Sequence, residues 1–181
     1  MKNLVLRLSV LSLLFFSCQK ERADPFLIGD SSVGPLTKKT QIRQLDSLYP
    51  NDSVVIKKTT GVFGSENEIF IYDKNGSKLL RLDPVQNFDS TSAIGNIQII
   101  DPRFKTKEGF GPESTFKDIV ANYHISRIEN TLNALVIFID EINAYVTIDK
   151  KELPNDINAD EITAAQIPPN TEITYFWIGW Q

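Results

Sequence analysis

The sequence predicts an α+β fold in which a mostly antiparallel sheet carries two short helices on one face. Three observations support this prediction. Two short amphipathic segments with helical spacing occur in the chain, each is followed by three apolar segments of strand length, and the chain ends in an aromatic strand. The sequence therefore predicts two strand–helix–three-strand units. These units are either a duplication or a chance likeness between two amphipathic helices.

The first helix is predicted from Thr40 to Tyr49 and the second from Ser114 to Tyr123. A Ser or Thr hydroxyl before a helix can accept a hydrogen bond from a free backbone amide, so Thr40 and Ser114 are the predicted caps. Apolar residues follow at a spacing of three, which gives each helix a short apolar stripe. The stripe residues are Ile42, Leu45, Phe116 and Ile119. Pro50 marks the end of the first helix.

Short apolar runs predict the strands. They cover 26–28, 54–58, 68–72 and 78–82 in the first unit, and 97–100, 125–128, 135–140 and 144–148 in the second. Asn75-Gly76 is the strongest short hairpin signal, so residues 73–77 are predicted to form a hairpin turn. The last strand, 171–180, is apolar on both faces, and this favours a place inside the sheet over its edge.

The segment 1–17 has the pattern of a signal peptide. Lys2 and Arg7 give a basic start, an apolar run ending at Phe16 follows, and no acidic residue occurs before Glu21. The apolar run is shorter than the roughly 20 residues that a membrane-spanning helix needs. We therefore expect the segment 1–17 to be a signal peptide that is removed from the mature protein.

Ser17-Cys18 follows this segment and resembles the lipobox of bacterial lipoproteins, in which a small residue precedes a Cys that becomes lipidated. The resemblance implies that Cys18 is the new N-terminus, that residues 18–28 are a polar tether, and that the membrane is a partner through the lipid. Each buried acyl methylene contributes about 0.8 kcal/mol, so several chains would hold the protein durably. The alternative is a free thiol at the end of a secretory signal.

The tether starts Gln19-Lys20-Glu21, which resembles the signal that directs some Bacteroidetes lipoproteins to the cell surface. This resemblance implies an outer-membrane lipoprotein of the bacterial cell envelope. Whether the domain faces the periplasm or the outside stays open. Residues 29–181 are predicted to be one domain, with 29–95 and 96–181 as its two halves.

The folded part is similar to an envelope-stress-regulated family of bacterial lipoproteins of unknown function. The similarity rests on the glycine-then-helix start, the strand series, the second turn segment Gly109–Pro112 and the aromatic last strand. It implies a lipid-anchored envelope domain, and it supplies no catalytic residues.

The composition excludes several classes of protein. With 41% hydrophobic residues the chain is too apolar to be wholly disordered, and its net charge of -4 argues against a nucleic-acid partner. A single Cys and a single His exclude an intramolecular disulfide and a Cys/His zinc cage. We therefore predict no nucleic-acid partner, no cofactor and no metal site.

The sequence contains no recognisable catalytic constellation. His124 is the only histidine, and neither Ser114 nor Ser126 beside it lies in a nucleophile-elbow pattern. The segments at Asp73 and Asp156 open like calcium loops, but neither has the Gly and Glu that an EF-hand requires at its later positions. The chain is therefore predicted not to be an enzyme, with a hydrolase as the weakest alternative.

Aromatic residues are the best candidates for binding because Trp and Tyr dominate interface hot spots. The candidates are Phe104, Phe110, Trp177 and Trp180, and the alternative is that they belong to the core. The sequence thus predicts a lipid-anchored, non-enzymatic domain that binds another envelope protein or a cell-wall component. A module that binds a small ligand or ion between sheet and helices is the alternative.

Overall fold

The computed structural model describes residues 24–61, 64–154 and 162–180. The predicted signal peptide, Cys18 and the first part of the tether lie outside these residues. The segment at Asp156 that opens like a calcium loop also lies outside them. Within the described ranges, no helix has the length and apolar character needed to cross a membrane.

The described residues form eleven strands that pair in two antiparallel sheets. The strands are β1 (Ile28–Gly29), β2 (Ser32–Val33), β3 (Leu36–Thr37), β4 (Ser53–Gly61), β5 (Gly64–Tyr72), β6 (Lys78–Pro84), β7 (Ile94–Ile99), β8 (Arg127–Asn130), β9 (Ala134–Ile139), β10 (Ala144–Asp149) and β11 (Tyr175–Gly179). The first three form a small meander, and the other eight form one sheet in the order β4-β5-β6-β7-β11-β10-β9-β8. The predicted antiparallel pairing is confirmed.

The described helices are few and short. The two α-helices are α1 (Leu45–Leu48), which continues a 3-10 turn over Ile42–Gln44, and α2 (Phe116–Asn122). Further 3-10 turns cover Asp140–Ile142, Lys150–Glu152 and Ala164–Gln166. The buried side chains of both α-helices belong to the same core cluster as the buried face of the large sheet. Both helices therefore pack on one face, as predicted, but the sheets dominate and the α+β class fits only loosely.

The second helix begins one residue later than the sequence predicted. Thr115 is its capping residue, and the Thr115 amide donates to Oδ2 of Asp118 at 2.7 Å. The predicted cap, Ser114, instead accepts a hydrogen bond through Oγ from the amide of Gly111 at 3.0 Å. A short hydroxyl side chain can satisfy an amide in the preceding turn as readily as one in the helix, and here it does so.

The first helical segment repeats this arrangement at the corresponding positions of its own half. Gln41 precedes its first turn, and the Gln41 amide donates to Oε1 of Gln44 at 2.8 Å. The predicted cap, Thr40, accepts through Oγ1 from the amide of Thr37 at 2.9 Å. Both predicted caps are therefore displaced by one position, in the same direction and for the same reason.

The first residue of each helical segment also hydrogen-bonds, through its amide, to a carbonyl that lies shortly before one of the two central strands, β7 or β11. The Ile42 amide donates to the carbonyl of Ser92 at 3.0 Å, and the Phe116 amide donates to the carbonyl of Thr171 at 2.9 Å. In each half, a helix leads into a four-stranded meander, β4–β7 or β8–β11. This differs from the predicted strand–helix–three-strand unit, because β7 closes the first meander and does not open the second unit. The predicted boundary at 95/96 lies inside β7.

The two meanders meet where β7 pairs with β11 at the centre of the large sheet. In this pair, Gln98 lies opposite Trp177. Ser92 and Thr171, whose carbonyls accept the helix amides, each lie six positions before Gln98 and Trp177, respectively. Gln98 and Trp177 therefore also occupy corresponding positions in the two halves. An approximate twofold axis therefore passes through the Gln98–Trp177 pair.

The turn predicted at residues 73–77 is confirmed as the connection between β5 and β6. Asp73 accepts hydrogen bonds through Oδ1 from the amides of Asn75 and Ser77, at 2.8 and 2.9 Å. Gly76 has a φ of +83°, which an L side chain rarely adopts. The predicted interior position of the last strand is confirmed too, since β11 lies between β7 and β10.

The hydrophobic core lies on one face of the large sheet. Side chains alternate along each strand, so residues such as Ile97 and Ile99 point to the core while Gln98 points to the opposite face. The small meander also packs into this core, through residues that include Ile28 and Val33. Both α-helices and the small meander contribute to this one core, so they do not cover the opposite face of the large sheet.

Candidate functional site

One side chain from each of the eight strands forms a continuous row across the face opposite the core. Each member pairs directly with the next, so the register places all of them in one line. From one edge of the sheet to the other, they are Val55, Phe70, Arg81, Gln98, Trp177, Tyr145, Phe138 and Arg127. We call this set the aromatic row.

The rings at the centre of the row are stacked. Tyr145 and Trp177 have ring centroids 5.9 Å apart and an angle of 4° between their planes. Phe138 stacks on the other side of Tyr145, also at 5.9 Å, with an angle of 30°. The guanidinium carbon of Arg127 lies 3.8 Å from the centroid of Phe138, within the range of a cation–π interaction. Three rings are thus held in a fixed order, and an arginine covers the outermost one.

Arg81 holds the other side of Trp177. Its guanidinium carbon lies 5.5 Å from the centroid of the indole ring. The same guanidinium forms ion pairs with Glu68 at 3.1 Å and with Asp83 at 3.2 Å. Burial raises the pKa of the Asp83 carboxyl, and the charge of Arg81 opposes this effect. Because two carboxylates fix its position, Arg81 presents a rigid cationic group beside Trp177.

Beyond Arg81 the row continues with Phe70, which lies beneath two lysines. The ammonium nitrogens of Lys57 and Lys78 are 5.2 and 4.5 Å from the Phe70 centroid. These side chains leave Phe70 only 8% exposed, so its ring packs beneath the surface and offers little area to a partner. The accessible aromatic surface therefore lies in the other half of the row, around Trp177 and Tyr145.

A pocket of about 290 Å³ opens beside this accessible part. Its lining includes the rings of Phe138 and Tyr145, the polar residues Asp140 and Asn143, and Gly179, which has no side chain to fill the space. A Cβ at Gly179 would lie 3.5 Å from the Tyr145 ring. Burial and, to a smaller extent, the charge of Asp83 raise the pKa of Tyr145, so its hydroxyl stays protonated at neutral pH. The pocket thus combines apolar walls with a few polar groups, which suits a single inserted side chain.

The structure separates the four aromatic residues that the sequence singled out. Phe104 and Phe110 are each 1% exposed and belong to the core, where Phe110 packs on Phe176 with centroids 5.0 Å apart. These two rings offer no surface to a partner, because other core residues cover them. Trp177 lies at the centre of the aromatic row. Trp180 is partly buried against the core, on the other side of the sheet.

Among the residues that the structure describes, the possible catalytic and metal-binding side chains are not brought together. His124 is exposed, and its hydrogen bond to Oε1 of Glu141 is donated by the backbone amide and not by the ring. Across 24–61, 64–154 and 162–180, no group of three His, Cys, Asp or Glu side chains is placed to hold a metal ion. The turn at Asp73 uses its carboxylate to accept backbone amides, as a hairpin turn requires.

Sequence reasoning missed most of the aromatic row. Arg81, Arg127, Phe138 and Tyr145 lie on four different strands, and strand pairing alone brings them into line. The available signal was weak. Tyr145 and Phe138 each stand between two residues that are buried in the core, but the strand around Phe138 is apolar at every position, so the pattern does not assign its face.

Comparison with known proteins adds a fold and no function. No protein-family model and no curated protein matches the chain. Among solved structures, the chain is similar to the uncharacterized protein yfeY from Escherichia coli, with a TM-score of 0.54 and 13% sequence identity. The similarity covers 83% of this chain and 97% of yfeY. The chain therefore shares its fold with an uncharacterized bacterial protein.

Proposed function

We propose that this chain is a non-enzymatic lipoprotein of the bacterial outer membrane, and that it binds another envelope protein through the open face of its large sheet. The observation that carries the binding part is the aromatic row. Stacked Trp, Tyr and Phe rings between two arginines have the composition of an interface hot spot. The rings are ordered before binding, so little side-chain entropy is lost when a partner covers them.

The chemistry of this face fits a protein partner better than a cell-wall polymer. Trp177 and Tyr145 stack on each other with nearly parallel planes, so it is their edges and not their faces that meet a partner. Such a surface suits packing against apolar side chains. Beside it, the pocket at Gly179 has a volume of about 290 Å³ and can accept one side chain of the partner. Arg81 and Arg127 supply charged groups at the margins of this contact.

The anchor part rests on the signal-peptide pattern and on Cys18. The described part of the chain starts at Asp24, a short segment after Cys18. Fully extended, the segment from Cys18 to Asp24 spans about 20 Å. A lipid on Cys18 would therefore keep the domain close to the membrane, where it could meet a membrane-bound partner. Both orientations, toward the periplasm and toward the cell exterior, are compatible with such an anchor.

In-cell photo-crosslinking tests the proposed surface. A photoreactive phenylalanine analogue replaces Gln98, next to Trp177 in the aromatic row, or Val120, an α2 residue that is 55% exposed on the other side of the sheet. We expect the Gln98 position to give an adduct with one envelope protein, identified by mass spectrometry, and the Val120 position to give none of that adduct. The same adduct from both positions, or none from Gln98, would refute the proposal. An adduct sensitive to muramidase but not to protease would replace the protein partner with a cell-wall polymer.

A further inference from the structure

A cleft of about 800 Å³ lies away from the aromatic row, and no residue of the row lines it. It is bounded by the start of the described chain, the end of α1, the β5–β6 turn and the loop after β7. Its volume falls in the range of pockets that hold small molecules. Gly34 forms part of one wall at a φ of +53°, where a Cβ would lie 2.3 Å from the carbonyl oxygen of Pro25. The close approach of these two segments shapes the wall.

Negative charge exceeds positive charge around the arginine of this cleft. Arg103 donates two hydrogen bonds of 2.8 Å to Asp101 and lies 3.5 Å from Asp73. The hydrogen bonds to Asp101, with the charges of Asp101, Asp73 and Asp52, raise the pKa of Arg103. One guanidinium thus stands among three carboxylates. Asp101 does not itself line the cleft, whose lining holds three acidic residues, Asp24, Asp52 and Asp73, and two basic ones, Lys74 and Arg103.

Tyr49 lines the same cleft and has an unsatisfied hydroxyl. The residue is 5% exposed, and its hydroxyl has no hydrogen-bond partner among the described residues. Burial, with a further contribution from Asp52, raises its pKa, so the phenol is neutral. An unpaired buried hydroxyl costs stability, and a polar ligand group that completes its hydrogen bonding would remove that cost.

The corresponding tyrosine in the other half of the domain is satisfied by the protein itself. Tyr123 ends α2 as Tyr49 ends α1. Its hydroxyl lies 2.6 Å from Oγ1 of Thr106 and donates to Oε2 of Glu108 at 2.8 Å. The two equivalent tyrosines thus differ in one respect. Thr106 and Glu108 hydrogen-bond the Tyr123 hydroxyl, whereas no described protein group hydrogen-bonds the Tyr49 hydroxyl.

We propose that this cleft binds a small organic cation, a primary amine on a short apolar body. The ammonium group would lie among the carboxylates of Asp52 and Asp73 and donate to the hydroxyl oxygen of Tyr49, which balances the excess negative charge. The apolar body would pack on Leu48 and Leu79, which also line the cleft. A metal ion fits less well, because the described residues hold no group of three metal-ligating side chains and the lining is partly apolar.

A series of isosteric four-carbon probes tests this proposal. The full chain in mild detergent, labelled with 13C at leucine methyl groups, is titrated with 1-aminobutane, butanoate or butan-1-ol. We expect 1-aminobutane to shift the methyl resonances of Leu48 and Leu79 in a saturable manner, with an affinity about tenfold or more above that of the other two probes. Equal responses to all three probes, or no saturable response to the amine, would overturn the proposal.

Single substitutions locate the binding and separate it from folding. Asp52→Asn removes one carboxylate of the cleft, and Tyr49→Phe removes only the unpaired hydroxyl. We expect each to weaken amine binding about tenfold while leaving the melting temperature unchanged or raised, because neither change removes a side-chain hydrogen bond between described residues. Asp46→Asn, an exposed α1 position outside the cleft, is the matched control and should bind as the wild type does. Unchanged binding in both cleft variants would contradict the assignment.

Discussion

We expect replacement of Trp177 by Ala to lower the affinity for the proposed partner by about 30-fold or more, the loss typical of a central hot-spot residue. The indole ring connects the two parts of the aromatic row, since it stacks on Tyr145 and lies beside Arg81. Its removal takes away the largest ring of the surface and leaves Tyr145 without a stacking partner on that side. The measurement is the dissociation constant between the purified protein and the partner identified by crosslinking.

Trp180→Ala is the matched control for this substitution. It removes the same kind of side chain from the same end of the chain, but Trp180 packs against the core and lies away from the open face. We expect Trp180→Ala to lower the free energy of unfolding and to leave partner affinity close to that of the wild type. The proposed surface is wrong if Trp177→Ala binds normally, or if both variants lose affinity equally while remaining folded.

If the proposed lipid on Cys18 is the anchor, we expect Cys18→Ala to move the protein from the membrane fraction to the soluble fraction. Acyl chains contribute about 0.8 kcal/mol for each buried methylene, so two or three chains dominate membrane affinity. The measurement is incorporation of a labelled fatty acid, followed by fractionation of membranes.

Ser17→Ala serves as the control, because Ala is also small and keeps a small residue before the Cys. This variant should incorporate fatty acid and stay in the membrane fraction. A wild-type protein that carries a free thiol at Cys18, or that retains the segment 1–17 after maturation, would contradict the lipoprotein assignment.

The sequence predicted the features of the fold that depend on local chemistry. The turn at Asp73–Ser77 follows from the Asn-Gly pair, whose glycine takes the positive φ that the turn needs. The interior position of β11 follows from apolar residues on both of its faces. The two helical segments follow from their apolar spacing, but both begin later than predicted, and the first is a 3-10 turn over Ile42–Gln44 that continues into a four-residue α-helix.

The aromatic row could not be predicted, because it depends on which strands pair and in which register. Tyr145 and Trp177 are distant in the chain, and they meet only because β11 inserts between β7 and β10. Phe104 and Phe110 were also candidates for binding, but each lies in a loop that folds back over the core. Burial of a loop aromatic is set by tertiary packing, which residue type alone does not determine.

The most direct test of the proposed binding face compares the oxidation of the two tryptophans in cells and in the purified protein. Both indoles are partly buried, and they lie on opposite sides of the sheet, so Trp180 is an internal reference for Trp177. Hydroxyl-radical labelling followed by mass spectrometry gives the rate for each residue. We predict that Trp177 is protected in cells relative to the purified protein while Trp180 reacts alike in both. Equal reactivity of Trp177 in the two settings would contradict the proposed binding face.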